Sequence, residues 1–314
     1  MIRYSSVRIF ILYVIVVFFL GIPGCSTPGN KEVVSKDSEW QRLMLAGHES
    51  FKRSRFDKAA HYYQKALFQA RITDNSSAIG VAAYNLAACY VRLGYYDSAK
   101  NLLKEAREEI SKFQGNVTEV ILVEAKVARL QEHFDESWSL TDQLLTYLSS
   151  YPSNELQLQV YLLRGHIACD QGQIVLADSE FEKSRNYSRN VSNPLLLAGY
   201  SELAGRIYLR KNRPEMAAKE FDRETGFLKE AEQYREMVLS LENAAEAYKN
   251  SGDHSLAADR FIRAARSAFA QGEKEYALEL GKKSLSAANA ADNEPAFSSA
   301  QRFLAEVEAS PDIR

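Results

Sequence analysis

Two patterns of apolar residues divide the chain. The first is one unbroken run of 12, Ile9 to Leu20. A helix needs roughly 20 residues to cross a hydrocarbon core, so this run is too short to span one. The second pattern begins near residue 40 and is periodic. Gly94-Tyr-Tyr96-Asp-Ser-Ala99 recurs as Gly172-Gln-Ile174-Val-Leu-Ala177 and as Gly252-Asp-His254-Ser-Leu-Ala257. Ser54 to Ala59, Asn212 to Ala217 and the degenerate Glu132 to Ser137 occupy the same register. The alanine slot therefore falls at 59, 99, 137, 177, 217 and 257, with spacings of 40, 38, 40, 40 and 40. Four and seven places beyond it lie Tyr63 and Ala66, Leu103 and Ala106, Phe181 and Ser184, Phe261 and Ala264. Nine places before it lie Tyr90, Tyr208 and Tyr248, each preceded by a small residue three positions earlier: Ala87, Gly205 and Ala245.

Spacings of three, four and seven are helical, so each period predicts two helices joined at the glycine, which ends the first in a left-handed cap. Small side chains at Gly47, Ala87, Gly165, Gly205 and Ala245 allow the first helix of a pair to approach the second. The alanine slot does the same from the other side, and the tyrosines fill the space to the neighbouring pair. The turn phrase recurs early at Gly272-Glu-Lys-Glu-Tyr-Ala277, predicting helices over 254–271 and 273–289. A last helix from Pro295 to about 309 would cover the face that the final repeat exposes.

This pattern resembles the tetratricopeptide repeat over residues 40 to about 270, and recurs six times. The resemblance implies an all-α fold, a tetratricopeptide-like α-solenoid: a right-handed superhelix of antiparallel helix pairs with a ~40-residue period. Residues 38–272 would form six repeats and 273–314 capping helices. The six residues beyond the usual 34 add ~9 Å per repeat if helical. The third repeat departs from the pattern, with Ser137 and Thr141 replacing alanine and aromatic beside Trp138, and predicts a kink or a repacked layer. The resemblance also implies that the first helix of each pair lines a concave groove. Carried onto this register, the partner-binding positions are Tyr84, Asn85, Arg92, Lys126, Arg129, His166, Arg206 and Arg210, with Leu122 and Leu162 among the apolar ones. Asn85 stands where groove asparagines hold a peptide backbone in some members. The lysine and asparagine set of a chaperone-type carboxylate clamp is incomplete here.

Composition narrows the function. The 314 residues are 46% hydrophobic, 25% charged and 11% aromatic, the balance of an ordinary folded protein. With 39 Lys and Arg against 41 Asp and Glu, the chain lacks the basic excess of a nucleic-acid binder. Three cysteines and five histidines leave little for a metal cluster and exclude a disulfide scaffold. No cofactor or metal is expected.

The N-terminus carries an address. Arg3 and Arg8, the short apolar run and Gly21-Ile22-Pro23-Gly24-Cys25 have the layout of a secretory signal. Ile22-Pro23-Gly24-Cys25 resembles a bacterial lipobox. That resemblance implies a lipoprotein signal peptide over 1–24, acylation at Cys25 and anchoring by several acyl chains. Ser26 after the cysteine implies sorting to the bacterial outer membrane, facing the periplasm. Residues 25–37, polar with a Pro-Gly break, read as a lipid-anchored flexible linker.

No catalytic signature emerges. Gly199-Tyr-Ser201-Glu-Leu203 lacks the second glycine of a nucleophile elbow. Gly47-His48-Glu49 has no second histidine at zinc-site spacing, and the histidines fall in different repeats. Cys89 and Cys169 lie four helix layers apart, beyond disulfide reach; Cys89 reads as core and Cys169 as facing the groove. A groove with Arg92, Lys126, Arg129, Arg206 and Arg210 would complement a partner segment bearing acidic and apolar residues. Equally, those charges would serve internal ion pairs. The chain is thus expected to be no enzyme but a lipid-anchored scaffold or adaptor in envelope assembly or secretion, binding envelope proteins or peptides through the groove. The alternatives are a peptide-sensing regulator and a pilotin-like factor for type IV pilus or secretin biogenesis.

Overall fold

A computed structural model describes residues 36–112 and 115–310. The expected signal peptide, Cys25 and most of the linker lie outside the described residues. Fourteen helices and no strand occur among the described residues. The first pairs are α1 (Lys36–Lys52) with α2 (Phe56–Ile72) and α3 (Ser76–Arg92) with α4 (Tyr96–Lys112). Then come α5 (Thr118–Leu130) with α6 (Phe134–Ser150), and α7 (Asn154–Asp170) with α8 (Ile174–Ser188). Next are α9 (Pro194–Arg210) with α10 (Pro214–Glu230), and α11 (Tyr234–Asn250) with α12 (His254–Ala270). The last two are α13 (Lys274–Ala290) and α14 (Glu294–Ala309). The first helix thus opens two residues inside the stretch read as linker.

The true module is shorter than the sequence period. Most helices are 17 residues long and most connections three, so a helix plus its turn occupies 20 residues and a pair 40. The added length relative to a 34-residue repeat therefore sits in the helices. The turn at Gly272 that looked early is the ordinary step to the next helix. Every three-residue turn but the one at 151–153 has its middle residue at positive φ. Gly94, Gly172, Gly252 and Gly272 hold this place at φ 79, 72, 87 and 83. Ser54, Asp74, Glu132, Asn212, Glu232 and Asp292 take it at φ 49 to 61. Glycine enters the left-handed region without a Cβ penalty and Asn and Asp tolerate it, whereas Ser54, Glu132 and Glu232 take it at a steric cost. Helix starts are fixed by side-chain caps: Asn75, Ser153, Asn193, Asp253 and Asn293 each accept from a backbone N–H two or three residues on.

Consecutive helices pack antiparallel along the whole stack. Through the middle, first helices of successive pairs also touch, α3 with α5, α5 with α7 and α7 with α9. Their close spacing puts the first helices on the inside of the curve. The close-approach positions behave as expected. A Cβ on Gly47 would meet the Tyr63 ring at 2.6 Å, and one on Gly205 the Phe221 ring at 2.6 Å. Gly165 differs: a Cβ there would lie 2.4 Å from Leu203 of α9, so it brings two first helices together rather than a pair. Ala59, Ala99, Ala177, Ala217 and Ala257 are fully buried. Tyr208 packs against the core on both sides of its pair.

The irregular third repeat is a repacked layer. Ser137 Oγ donates to the Ala125 carbonyl at 2.7 Å, and Arg164 Nε donates to Thr141 Oγ1 at 2.9 Å. The Arg164 guanidinium also covers the Trp138 ring at 4.6 Å. A buried polar network thus stands where other repeats use alanine against an aromatic, and α5 is shortened to 13 residues.

Candidate functional site

The inner layer gathers most of the residues expected in the groove. Asp170 ends α7 between Arg129 of α5 and Arg206 of α9. Arg129 Nε donates to its carboxylate at 2.6 Å and Arg206 Nη2 at 2.5 Å. Arg206 Nη1 lies 2.7 Å from His166 Nδ1, one turn earlier on α7. Three successive first helices are therefore tied by one carboxylate. Burial raises the Asp170 carboxyl, but hydrogen bonds from Arg129 and Arg206 outweigh this and hold it below the usual carboxylate range. His166 is held well below the ordinary imidazole value, by burial first and then by the positive charges of Arg129 and Arg206. Neutral His166 can accept from Arg206, as the contact requires.

Several neighbours reach solvent beside crowded protein. Lys126 and Glu119 are exposed and Glu202 half-buried. Yet surrounding protein lowers the Lys126 ammonium and raises the Glu119 and Glu202 carboxyls, each mainly through desolvation. Tyr84 is raised for the same reason, with the Glu119 charge adding to it. These side chains lie on the inner wall of the superhelix, facing its lumen. Arg92 shows the wall directly. From the end of α3 it lies over the Phe56 ring at 4.8 Å and ion-pairs with Glu236 at the start of α11. That contact joins the second pair to the sixth.

Of the eight predicted partner-binding positions, Lys126, Arg129, His166 and Arg206 form one cluster with Asp170. Tyr84 lies on the same inner face, and Arg92 stands at its rim. Asn85 donates its side-chain amide to the Val81 carbonyl at 2.8 Å, within its own helix. Arg210 is exposed one turn beyond Arg206. Leu122 and Leu162 are not groove residues: they are 1% and 6% exposed and belong to the core between pairs. Cys169 likewise is 1% exposed, not turned to the groove, because one residue's rotation past the tyrosine slot carries it into the core. Cys89 and Cys169 are both free and buried. The positive charges expected to be open to a partner are in part engaged, Arg129 and Arg206 by Asp170 and Arg92 by Glu236. Glu236 was not legible from the sequence, being 144 residues from Arg92 with no local motif to mark it.

A separate open cavity of about 540 Å³ lies between α10, α11 and α12, lined by Tyr234, Met237 and Arg263 among others. Its arginines are already held, Arg260 by Asp222, Arg263 by Asp259 and Arg266 by Ser299. Among the described residues no cluster of His, Cys, Asp or Glu could hold a metal ion, and no helix is long and apolar enough to cross a membrane.

No protein-family model matches the chain, and no curated protein matches it in sequence. Solved structures do. The Rap protein complexed with Competence and Sporulation Factor is 14% identical at a TM-score of 0.54, over 88% of this chain and 98% of that one. A signal-transduction ATPase with a tetratricopeptide-repeat sensor, from Pyrococcus horikoshii, is 13% identical at 0.51. That alignment covers 88% of this chain but 44% of the ATPase, so the likeness concerns less than half of it. BtubC from P. vanneervenii is 14% identical at 0.50, over 74% of this chain and 92% of that one. At these identities the likeness establishes the fold, a tetratricopeptide-type α-solenoid.

Proposed function

We propose that this chain is a lipid-anchored scaffold of the bacterial envelope that holds an extended segment of a partner protein inside its lumen. The observation that carries the reading is the cluster of Lys126, Arg129, His166, Asp170 and Arg206, set on three adjacent first helices along the inner face. Asp170 neutralises part of the positive charge and fixes the arginines in place, so their remaining donors are ordered before a partner arrives. Lys126 and Arg210 supply positive charge without an ion-pair partner among the described residues. An acidic, partly apolar segment complements this surface, because its carboxylates would pair with Lys126 and Arg210 beside the apolar stems of the groove.

Anchoring at Cys25 and delivery to the outer membrane rest on Arg3, Arg8, the apolar run and the lipobox-like Ile22-Pro23-Gly24-Cys25. The task would be recruiting or positioning other envelope proteins in assembly or secretion. A second reading, a sensor of a free peptide, is favoured by the similarity to the Rap protein complexed with Competence and Sporulation Factor along nearly all of that chain. A photoreactive residue placed at Tyr84 or Arg129 in cells tests the first. Crosslinks to a membrane-associated protein that are absent from exposed Val175 on α8 support it. Crosslinks arising only from Val175 refute the lumen assignment, and adducts to a short free peptide favour the sensor. A pilotin-like role further predicts loss of secretin multimers on deletion.

A further inference from the structure

Charge is distributed unevenly along the stack. In residues 36–72, the α1–α2 pair, eight basic residues (Lys36, Arg42, Lys52, Arg53, Arg55, Lys58, Lys65, Arg71) stand against four acidic ones (Asp37, Glu39, Glu49, Asp57). Residues 73–314 carry 28 Lys and Arg against 36 Asp and Glu, a net of −8. One helix pair at +4 therefore heads an otherwise acidic solenoid. Its positive charge is also left open. Arg71 pairs with Glu105, but Lys52, Arg53, Arg55, Lys58 and Lys65 are exposed and make no ion pair among the described residues. Elsewhere on the stack basic side chains are commonly paired, as in Lys100–Glu136, Arg107–Glu124 and Lys183–Glu180.

The outer face of α2 adds an apolar element. Lys58, His61, Lys65, Phe68 and Ile72 follow one another at three and four residues, so they share one side of the helix, and all are exposed. Phe68 is 65% exposed and Ile72 53%, on the side opposite the buried Ala59, Tyr63, Ala66 and Ala70. Lysines flanking exposed aromatic and branched side chains are the composition of a surface that lies in a bilayer interface.

We propose that the outer face of α2 is a membrane-contact surface that docks the solenoid on an anionic lipid bilayer, with Lys58 and Lys65 on headgroups and Phe68 and Ile72 among the upper acyl chains. Its orientation rests on the anchor reading above. The 11 residues from Cys25 to Lys36 reach at most ~40 Å when fully extended. A chain held at Cys25 therefore keeps its basic end beside the membrane. Each basic side chain near an anionic surface adds attraction that falls off within a Debye length of about 8 Å, so binding would be salt-dependent.

The test uses the chain from residue 25, which holds every described helix, with Cys25→Ser to remove the acylation site. It is sedimented with vesicles of phosphatidylglycerol and phosphatidylethanolamine, or of phosphatidylcholine alone. Binding to the anionic vesicles, weakened tenfold or more by K58E/K65E and severalfold by F68S/I72S, is expected, with circular-dichroism melts matching the parent. Equal binding to both vesicle types, no binding to either, or binding unchanged by these substitutions would overturn the proposal. So would self-association through the same face in analytical ultracentrifugation. Acyl labelling in cells separates the two readings. Unlabelled Cys25 removes the anchor without touching the vesicle result, and vesicle indifference removes the α2 surface without touching the anchor.

Discussion

Replacing two glycines of the fifth pair by alanine isolates the close packing on which the stack depends. Gly205 sits inside α9, where a Cβ would lie 2.6 Å from Phe221 Cε1 and 2.8 Å from Cζ. The Phe221 ring is 2% exposed and cannot swing aside. Gly226 sits inside α10 with nothing within 4 Å of its would-be Cβ. Both substitutions gain about 1 kcal/mol of helix propensity. At Gly226 that gain stands alone, so Gly226→Ala should stabilise by up to that amount. At Gly205 the ring must move, and overpacking of a full core costs about 1–3 kcal/mol. Gly205→Ala should therefore lose about 1 kcal/mol net, leaving the variants roughly 2 kcal/mol apart. Stacked repeats need not unfold in one step, so urea midpoints from far-ultraviolet circular dichroism, compared within the same protein, are the suitable readout. If Gly205→Ala were as stabilising as Gly226→Ala, the first and second helices would not meet through small residues as described.

Two further perturbations probe charge. Glu224 of α10 is 9% exposed and its Oε2 has no hydrogen-bond partner; burial, and then the Glu202 charge, push its carboxyl up to about 8. An unfolded chain loses that proton near the ordinary value of 4.5. The folded state thus binds more protons between these values, and stability should fall as pH rises through that window. Glu224→Gln should abolish this slope, gaining on the order of 4 kcal/mol relative to the parent at pH 9 but little at pH 4; equal differences at both pH values in urea melts would contradict it. Arg92 and Glu236 are a partly exposed pair, so Arg92→Glu should cost under about 1 kcal/mol of stability. It should nonetheless widen the superhelix in small-angle scattering, and Arg92→Glu with Glu236→Arg should restore the compact form; an unchanged radius of gyration in the single variant would show that the rim is not closed there.

The helix pairs were legible because their signal is local. An alanine that must touch a neighbouring helix, and a glycine that must turn the chain, recur at fixed steps whatever the rest of the sequence does. The 20-residue module was less visible. Three of its turns use Asp74, Glu232 or Asp292 in the left-handed position, where no glycine marks the site. The side of a first helix that faces the lumen was readable to within one residue, enough to place Arg129 and Arg206 but not to keep Leu122, Leu162 and Cys169 out of the core. What the chain's linear order hides is closure. The Arg92–Glu236 contact arises from superhelical curvature, which accumulates from small rotations over four pairs and is written in no single repeat.

The lumen is the place proposed for a partner segment. Hydrogen–deuterium exchange, with and without a protein crosslinked from Tyr84 or Arg129 and then purified, measures this directly. Added protection should concentrate in α3, α5, α7 and α9, with little change in α4, α6, α8 and α10. Protection confined to the second helices, with Lys126 and Arg206 segments exchanging as before, would place the partner on the convex surface and contradict the account.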